Sequence, residues 1–115
     1  LTGEWHDLKI TRFLGRTTII TGFFELKNIS KAPANYGYTI SYYLSSDGIS
    51  LDTPLNTRAI TLVLLGERSR KLMFTRYVEG SINVSGKYLV AVIDEENVLT
   101  EEDKTNNLVV YGPLP

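Results

Sequence analysis

Alternation of apolar and polar side chains along short segments is the feature that most constrains the fold of this chain. From Tyr38 to Leu44, every second residue is Tyr, Ile or Leu, whereas Thr, Ser and Tyr lie between them. A period of two places these two sets on opposite faces of a β-strand, one toward a core and the other toward solvent. The segment with Ile20, Phe24 and Leu26 follows the same pattern and predicts that Gly22 faces inward.

Seven segments of this kind predict seven short strands. They lie near residues 8–13, 20–27, 38–45, 60–64, 72–74, 88–93 and 108–111. Gly, Pro, Asn and Asp residues separate them, as expected of tight connections, and no segment of ten or more residues has a helical apolar stripe. We therefore predict an all-β fold, a seven-stranded antiparallel β-sandwich of the immunoglobulin-like, fibronectin III-like type.

Length and composition limit the classes of protein to consider. With 115 residues, 43% hydrophobic and 22% charged, the chain can form one domain with a core of its own. It has no cysteine, so it has no disulfide, and its net charge of -1 gives no field that would attract nucleic acid. No apolar stretch is long enough for a membrane span. We predict a single domain over residues 1–111, with residues 112–115 as the start of a C-terminal linker.

The segment Tyr88 to Ile93 is apolar at even and odd positions alike, so its pattern does not show which side of the strand faces the core. In one interpretation, Tyr88, Val90 and Val92 face the core. The alternate residues then face outward, where they are covered by a loop or contact another domain. Tyr88 follows a turn glycine, the place where sandwiches have a tyrosine corner.

The C-terminal third resembles a known family. The pattern comprises Gly86-Lys87-Tyr88 and the apolar run to Asp94, followed by Asn97-Val98, Glu101 and Asn106-Asn107-Leu108. It is similar to the CARDB domain, the cell-adhesion-related domain of exported bacterial and archaeal proteins. Two features depart from the family pattern: Ser30 replaces its usual glycine, and Glu101 lies one residue further along.

The resemblance implies a non-catalytic extracellular module. It would act as a structural, adhesion or protein-interaction unit of a larger exported prokaryotic protein, secreted or at the cell surface. Its expected partners are neighbouring domains of the same chain and a cell-surface protein or glycan. The residues themselves also argue against an enzyme, because His6 is the only histidine and no nucleotide-binding or zinc-protease motif is present.

An acidic segment follows the sixth predicted strand. Its six carboxylates within ten residues are those of Asp94, Glu95, Glu96, Glu101, Glu102 and Asp103. Calcium prefers oxygen ligands of this kind, and the predicted ligands are Asp94, Asn97, Glu101 and Asp103. The EF-hand pattern is absent, and the alternative is a solvated acidic loop with no cofactor.

Two further sets of residues are candidates for binding. Trp5 and Tyr43 could stack on sugar rings in a carbohydrate-binding module, the alternative function, which calcium could assist. Asn28 and Asn106 lie in loops that an immunoglobulin-type topology brings to one end, so residues 28–35 and 94–107 are predicted to form one polar rim. The other interpretation of both asparagines is structural, because their amides bond well to neighbouring backbone.

Overall fold

The structure is a computed structural model that describes residues 1–13, 17–96, 99 and 107–115. Seven β-strands and no helix occur in these ranges. The strands are β1 (Thr2–Arg12), β2 (Thr17–Lys27), β3 (Thr39–Ser45), β4 (Thr53–Ala59), β5 (Ser69–Glu79), β6 (Tyr88–Ile93) and β7 (Leu108–Tyr111). The all-β class and the number of strands are therefore confirmed.

The strands form two antiparallel sheets. One has three strands in the order β1-β2-β5, and the other has four in the order β4-β3-β6-β7. Buried side chains of both sheets make up a single hydrophobic core, so the sheets pack face to face as layers of a β-sandwich. Within the described ranges, no helix has the length and hydrophobicity needed to cross a bilayer.

The predicted alternation determines which side chains enter this core. In β2, the buried residues are Thr18, Ile20, Gly22, Phe24 and Leu26, with less buried residues between them. In β3, the inward set begins at Ile40 and continues through alternate residues, as predicted. Both strands thus have one face in the core, which is the arrangement that a period of two predicts.

A β-bulge in β1 modifies this alternation. The register shifts between His6 and Lys9, and Asp7 has a positive φ of 55°. The extra residue lets Trp5 and Leu8, three positions apart, both pack against the core. A Cβ atom at Gly22 would lie 2.3 Å from Leu8 Cδ2, so this position in β2 needs glycine to accommodate the bulged strand.

The fourth strand lies earlier in the chain than predicted. The prediction for residues 60–64 was wrong, because β4 covers Thr53–Ala59 and residues 60–68 form a connection. Pro54 and its polar neighbours resemble a turn, but β4 is an edge strand, where proline is tolerated. Ile60 and Leu64 are buried, which explains their periodicity, whereas Leu62 is exposed.

The inward face of β6 is the opposite of the one expected. Leu89, Ala91 and Ile93 belong to the core because they pair with the inward residues of β3. Val90 lies on the outer face, where it is nevertheless fully buried. Tyr88 is also on the outer face and half-buried, and its ring lies beside Gly48 and Gly112 rather than in a core corner.

The chain termini lie at opposite ends of the sandwich, whose longest dimension is 47 Å. Thr2 pairs with Lys27, where β2 ends, so the N-terminus is at the end that carries the β2–β3 connection. Residues 112–115, predicted as a linker, pack at the other end. There Leu114 is buried and exchanges backbone hydrogen bonds with Gly86 and Lys87, of 2.8 and 2.7 Å.

Leu114 tests whether this C-terminal segment belongs to the folded domain. Its side chain is 3% exposed, so we expect Leu114→Ala to reduce the free energy of unfolding by about 2–5 kcal/mol in urea denaturation. Leu65→Ala is the matched control, because Leu65 is 61% exposed and its loss should cost about 0.5 kcal/mol or less. Equal midpoints for the two variants would place Leu114 outside the cooperative unit.

Candidate functional site

One end of the sandwich gathers the connections that the sequence analysis singled out. Residues 28–38 connect β2 to β3, and residues 60–68 connect β4 to β5. The strand registers bring them together, because Lys27 pairs with Ser69 and Thr39 pairs with Ala59. The residues that follow β6 begin at the same end, where the Asp94 N–H donates to the Thr39 carbonyl over 2.8 Å. We call this region the loop end.

Asn28 organises the first connection from a buried position. Its amide donates to the carbonyl oxygens of Ala32 and Leu64, over 2.8 and 3.0 Å, and its Oδ1 accepts the Ser30 N–H over 3.1 Å. The side chain therefore spans both connections and is only 4% exposed. This is the structural interpretation of Asn28, in which the amide replaces backbone partners at a strand end.

The two connections also pair directly through their backbones. Ala34 and Leu64 exchange hydrogen bonds of 2.8 and 3.0 Å, and the Glu67 N–H donates to the Ser30 carbonyl over 2.9 Å. Gly66 approaches Lys31 so closely that a Cβ atom would lie 2.1 Å from its carbonyl oxygen. The connections thus form one ordered layer over the end of the core.

This layer exposes several large apolar side chains. They are those of Ile29, Tyr36, Leu62, Val63 and Leu65, whose exposed fractions range from 44% to 63%. We call this set the apolar tip. Exposed apolar side chains that lie on one ordered layer are a candidate surface for contact with another protein.

The apolar tip was not predicted from the sequence. The residues from Leu62 to Leu65 are apolar at four consecutive positions, a departure from strict alternation that could have indicated a surface beyond the core. The side chain of Leu64 is buried, whereas the side chains of its two neighbours are exposed.

The described part of the acidic segment has one clear structural role. The carboxylate of Asp94 accepts the Leu99 N–H over 2.8 Å, and Asp94 is buried with a positive φ of 55°. It therefore fixes the turn that leaves β6. The other predicted calcium ligands, Asn97, Glu101 and Asp103, and the predicted rim residue Asn106 lie outside the described residues, so calcium binding stays a prediction.

The structure does not bring Trp5 and Tyr43 together. The Trp5 ring packs among Phe24, Tyr42 and Phe74, with centroid distances of 5.1, 5.6 and 5.3 Å, and its indole N–H donates to the Val109 carbonyl over 3.2 Å. Tyr43 follows Tyr42 in β3 and therefore points to the outer face of the four-stranded sheet. Trp5 thus joins the two sheets, and Tyr43 belongs to a separate surface.

Tyr43 is held by an acidic neighbour from the turn after β6. Its hydroxyl donates to Glu95 Oε1 over 2.7 Å. This hydrogen bond to the carboxylate raises the pKa of Tyr43, because the phenolate would lose the bond and face a negative charge.

Searches of protein-family models, of curated proteins and of solved structures found no match for this chain. The functional proposal therefore depends on the geometry of the loop end and on the sequence pattern.

Asn28 provides a test of how the loop end is ordered. In Asn28→Asp, a carboxylate would face two carbonyl oxygens, so we expect a loss of about 1–3 kcal/mol in the free energy of unfolding near neutral pH. Because this buried carboxyl would have a raised pKa in the folded state, the deficit should shrink as the pH falls from about 7 to about 4. Asn35→Asp, at an exposed site in the same connection, is the control. It should change neither the free energy of unfolding nor the dependence of that free energy on pH. Indistinguishable variants would contradict the role of Asn28.

The Tyr43–Glu95 hydrogen bond predicts a second measurable effect. Glu95→Gln removes the negative acceptor, so the pKa of Tyr43 should fall toward the ordinary tyrosine value of about 10. NMR titration of labelled tyrosine rings measures this change. Glu96→Gln, which changes the adjacent exposed acid, is the control and should leave the pKa of Tyr43 unchanged. An unchanged pKa of Tyr43 in Glu95→Gln would show that the hydrogen bond is absent in solution.

Proposed function

We propose that this domain is a CARDB-type, immunoglobulin-like module that serves as a structural and protein-interaction unit of an exported prokaryotic protein. Its role would be non-catalytic and extracellular. The apolar tip is the observation that carries the proposal, because it is a ready contact surface for a neighbouring domain or a partner protein.

The order of the strands supports the immunoglobulin-like, fibronectin III-like arrangement. In the sheet β4-β3-β6-β7, the fourth strand joins the third, sixth and seventh, and the remaining three strands form the opposite sheet. In sandwiches of this type, an additional strand that follows the third strand joins the sheet that contains the third, sixth and seventh strands. The antiparallel pairing throughout agrees with this arrangement.

The residues behind the resemblance to CARDB domains occupy positions that suit the proposal. Gly86 has a φ of +76° in the turn before β6, and Asp94 fixes the turn after it. Asn107, just before β7, is buried. These residues support the sandwich itself and leave the exposed side chains of the loop end to make contacts.

The carbohydrate-binding alternative depends on exposed aromatic rings. Trp5 is packed between the sheets, and the hydroxyl of Tyr43 is already bonded to Glu95. Tyr36 is 63% exposed, but it belongs to the apolar tip. The contact surface for a protein is therefore the better supported of the two functions.

A bead-adhesion assay tests the proposal. Beads carry the domain through its C-terminal end, away from the apolar tip, and are applied to surfaces coated with the domain itself, with a panel of extracellular proteins or with purified glycans. We expect attachment to a protein surface. Leu62→Ser with Leu65→Ser should weaken it by about tenfold or more, because two apolar side chains no longer contribute to burial.

The control variant is Met73→Ser with Tyr77→Ser. These residues are 69% and 65% exposed but lie on the outer face of the three-stranded sheet, so attachment should persist. Equal attachment by the tip variant would refute the apolar tip as the contact surface. Binding to glycans alone, abolished by Tyr43→Ala, would favour the carbohydrate-binding alternative.

A further inference from the structure

Three metal-ligating side chains converge on the outer face of the three-stranded sheet. Glu4 and His6 are two positions apart in β1 and therefore share a face, and Glu25 in β2 is the direct cross-strand partner of Glu4. His6 Nε2 lies 2.7 Å from Glu25 Oε1 and 3.3 Å from Glu4 Oε2. We propose that Glu4, His6 and Glu25 form a binding site for a divalent transition-metal ion, with zinc as the best-suited ion.

The donor set favours zinc over calcium. Zinc binds both imidazole nitrogen and carboxylate oxygen, and its open sites have three protein ligands with a water molecule in the fourth tetrahedral position. Calcium instead takes six to eight oxygen ligands, which this group cannot supply. The site thus differs in its chemistry from the calcium site predicted in the acidic segment after β6.

The distances fit a tetrahedral ion after small side-chain movements. Metal–ligand bonds of about 2.0–2.2 Å place tetrahedral ligand atoms about 3.3–3.6 Å apart. One donor atom from each residue lies within 4.8 Å of the others, and the separation of His6 from Glu4 already falls in the required range. The contact between His6 and Glu25 must lengthen, by replacement of a hydrogen bond with two metal bonds.

Ser69 in β5 supports the orientation of Glu25. Its hydroxyl donates to Glu25 Oε2 over 2.7 Å, which leaves Oε1 directed at His6. Outer hydrogen bonds of this kind hold ligating carboxylates in place. The hydrogen bonds from Ser69 and His6 also lower the pKa of Glu25.

Lys27 competes with a metal ion for the carboxylate of Glu4. Its Nζ lies 3.0 Å from Glu4 Oε2. Both side chains are substantially exposed, and an ion pair between exposed groups stabilises a fold only slightly. The flexible ammonium can therefore move into solvent when a divalent cation takes its place.

Titration of the wild-type domain with zinc chloride, followed by NMR, tests the site directly. Because His6 is the only histidine, its ring signals report on the site without assignment of any other residue. We expect these signals to shift and to saturate at one equivalent, with a rise in the thermal midpoint as zinc is added. Calcium and magnesium chloride should leave the His6 signals in place.

Four variants separate the site from a histidine that binds zinc alone. Glu4→Gln, Glu25→Gln and Ser69→Ala should each weaken binding by about tenfold or more. Lys27→Met should strengthen it several-fold, because the competing cation is removed. Glu79→Gln, an exposed acid at the far end of β5, is the control and should bind as the wild type does.

Two results would overturn the proposal. One is the absence of any change in the His6 signals of the wild-type domain up to about 1 mM zinc, since this corresponds to weak binding of about 4 kcal/mol. The other is unchanged affinity in both glutamate variants, which would leave His6 as the sole ligand. The first result needs no variant, so it holds even if a substitution affects folding.

Discussion

The contact of Tyr42 with the rings of the opposite sheet is the interaction on which the rest of the structure depends. Tyr42 in the four-stranded sheet meets Trp5, Phe24 and Phe74 of the other sheet at centroid distances of 4.9 to 6.0 Å. These tilted and edge-on arrangements are favourable for aromatic pairs. Burial raises the pKa of Tyr42 to about 12, because a phenolate in this layer would lose its hydration. The four rings come from four different strands, so each strand must adopt the register that places its ring there.

The registers set in this way also determine what the loop end can present. Two hydrogen bonds join the sheets at their edges, from Trp5 to the Val109 carbonyl and from Arg58 to the Met73 carbonyl. With both edges held, the connections after β2 and β4 emerge side by side, and Asn28 ties them together from below. The apolar tip is therefore a property of the whole sandwich, because its position depends on strand pairing far from the exposed side chains themselves.

The sequence predicts the inward faces of strands that alternate and fails for a strand that is apolar on both faces. β2 and β3 alternate, and their inward residues are as predicted. β6 is apolar on both faces, so only the pairing of Ala91 with Tyr42 reveals its orientation. The convergence of His6 with Glu25 lies beyond any pattern in the sequence, because 19 residues separate them and the contact depends on the bulge and register of β1.

The opposed chain termini have a mechanical consequence. β1 and β7 both run away from the loop end, and they are neighbours across one edge of the sandwich. A pulling force applied at Leu1 and at Pro115 would act along these strands, in opposite directions. The hydrogen bonds between β1 and β2 would then be loaded together in shear, because the force runs perpendicular to them, and they could not open one after another. The domain would resist extension until many of these bonds broke at once.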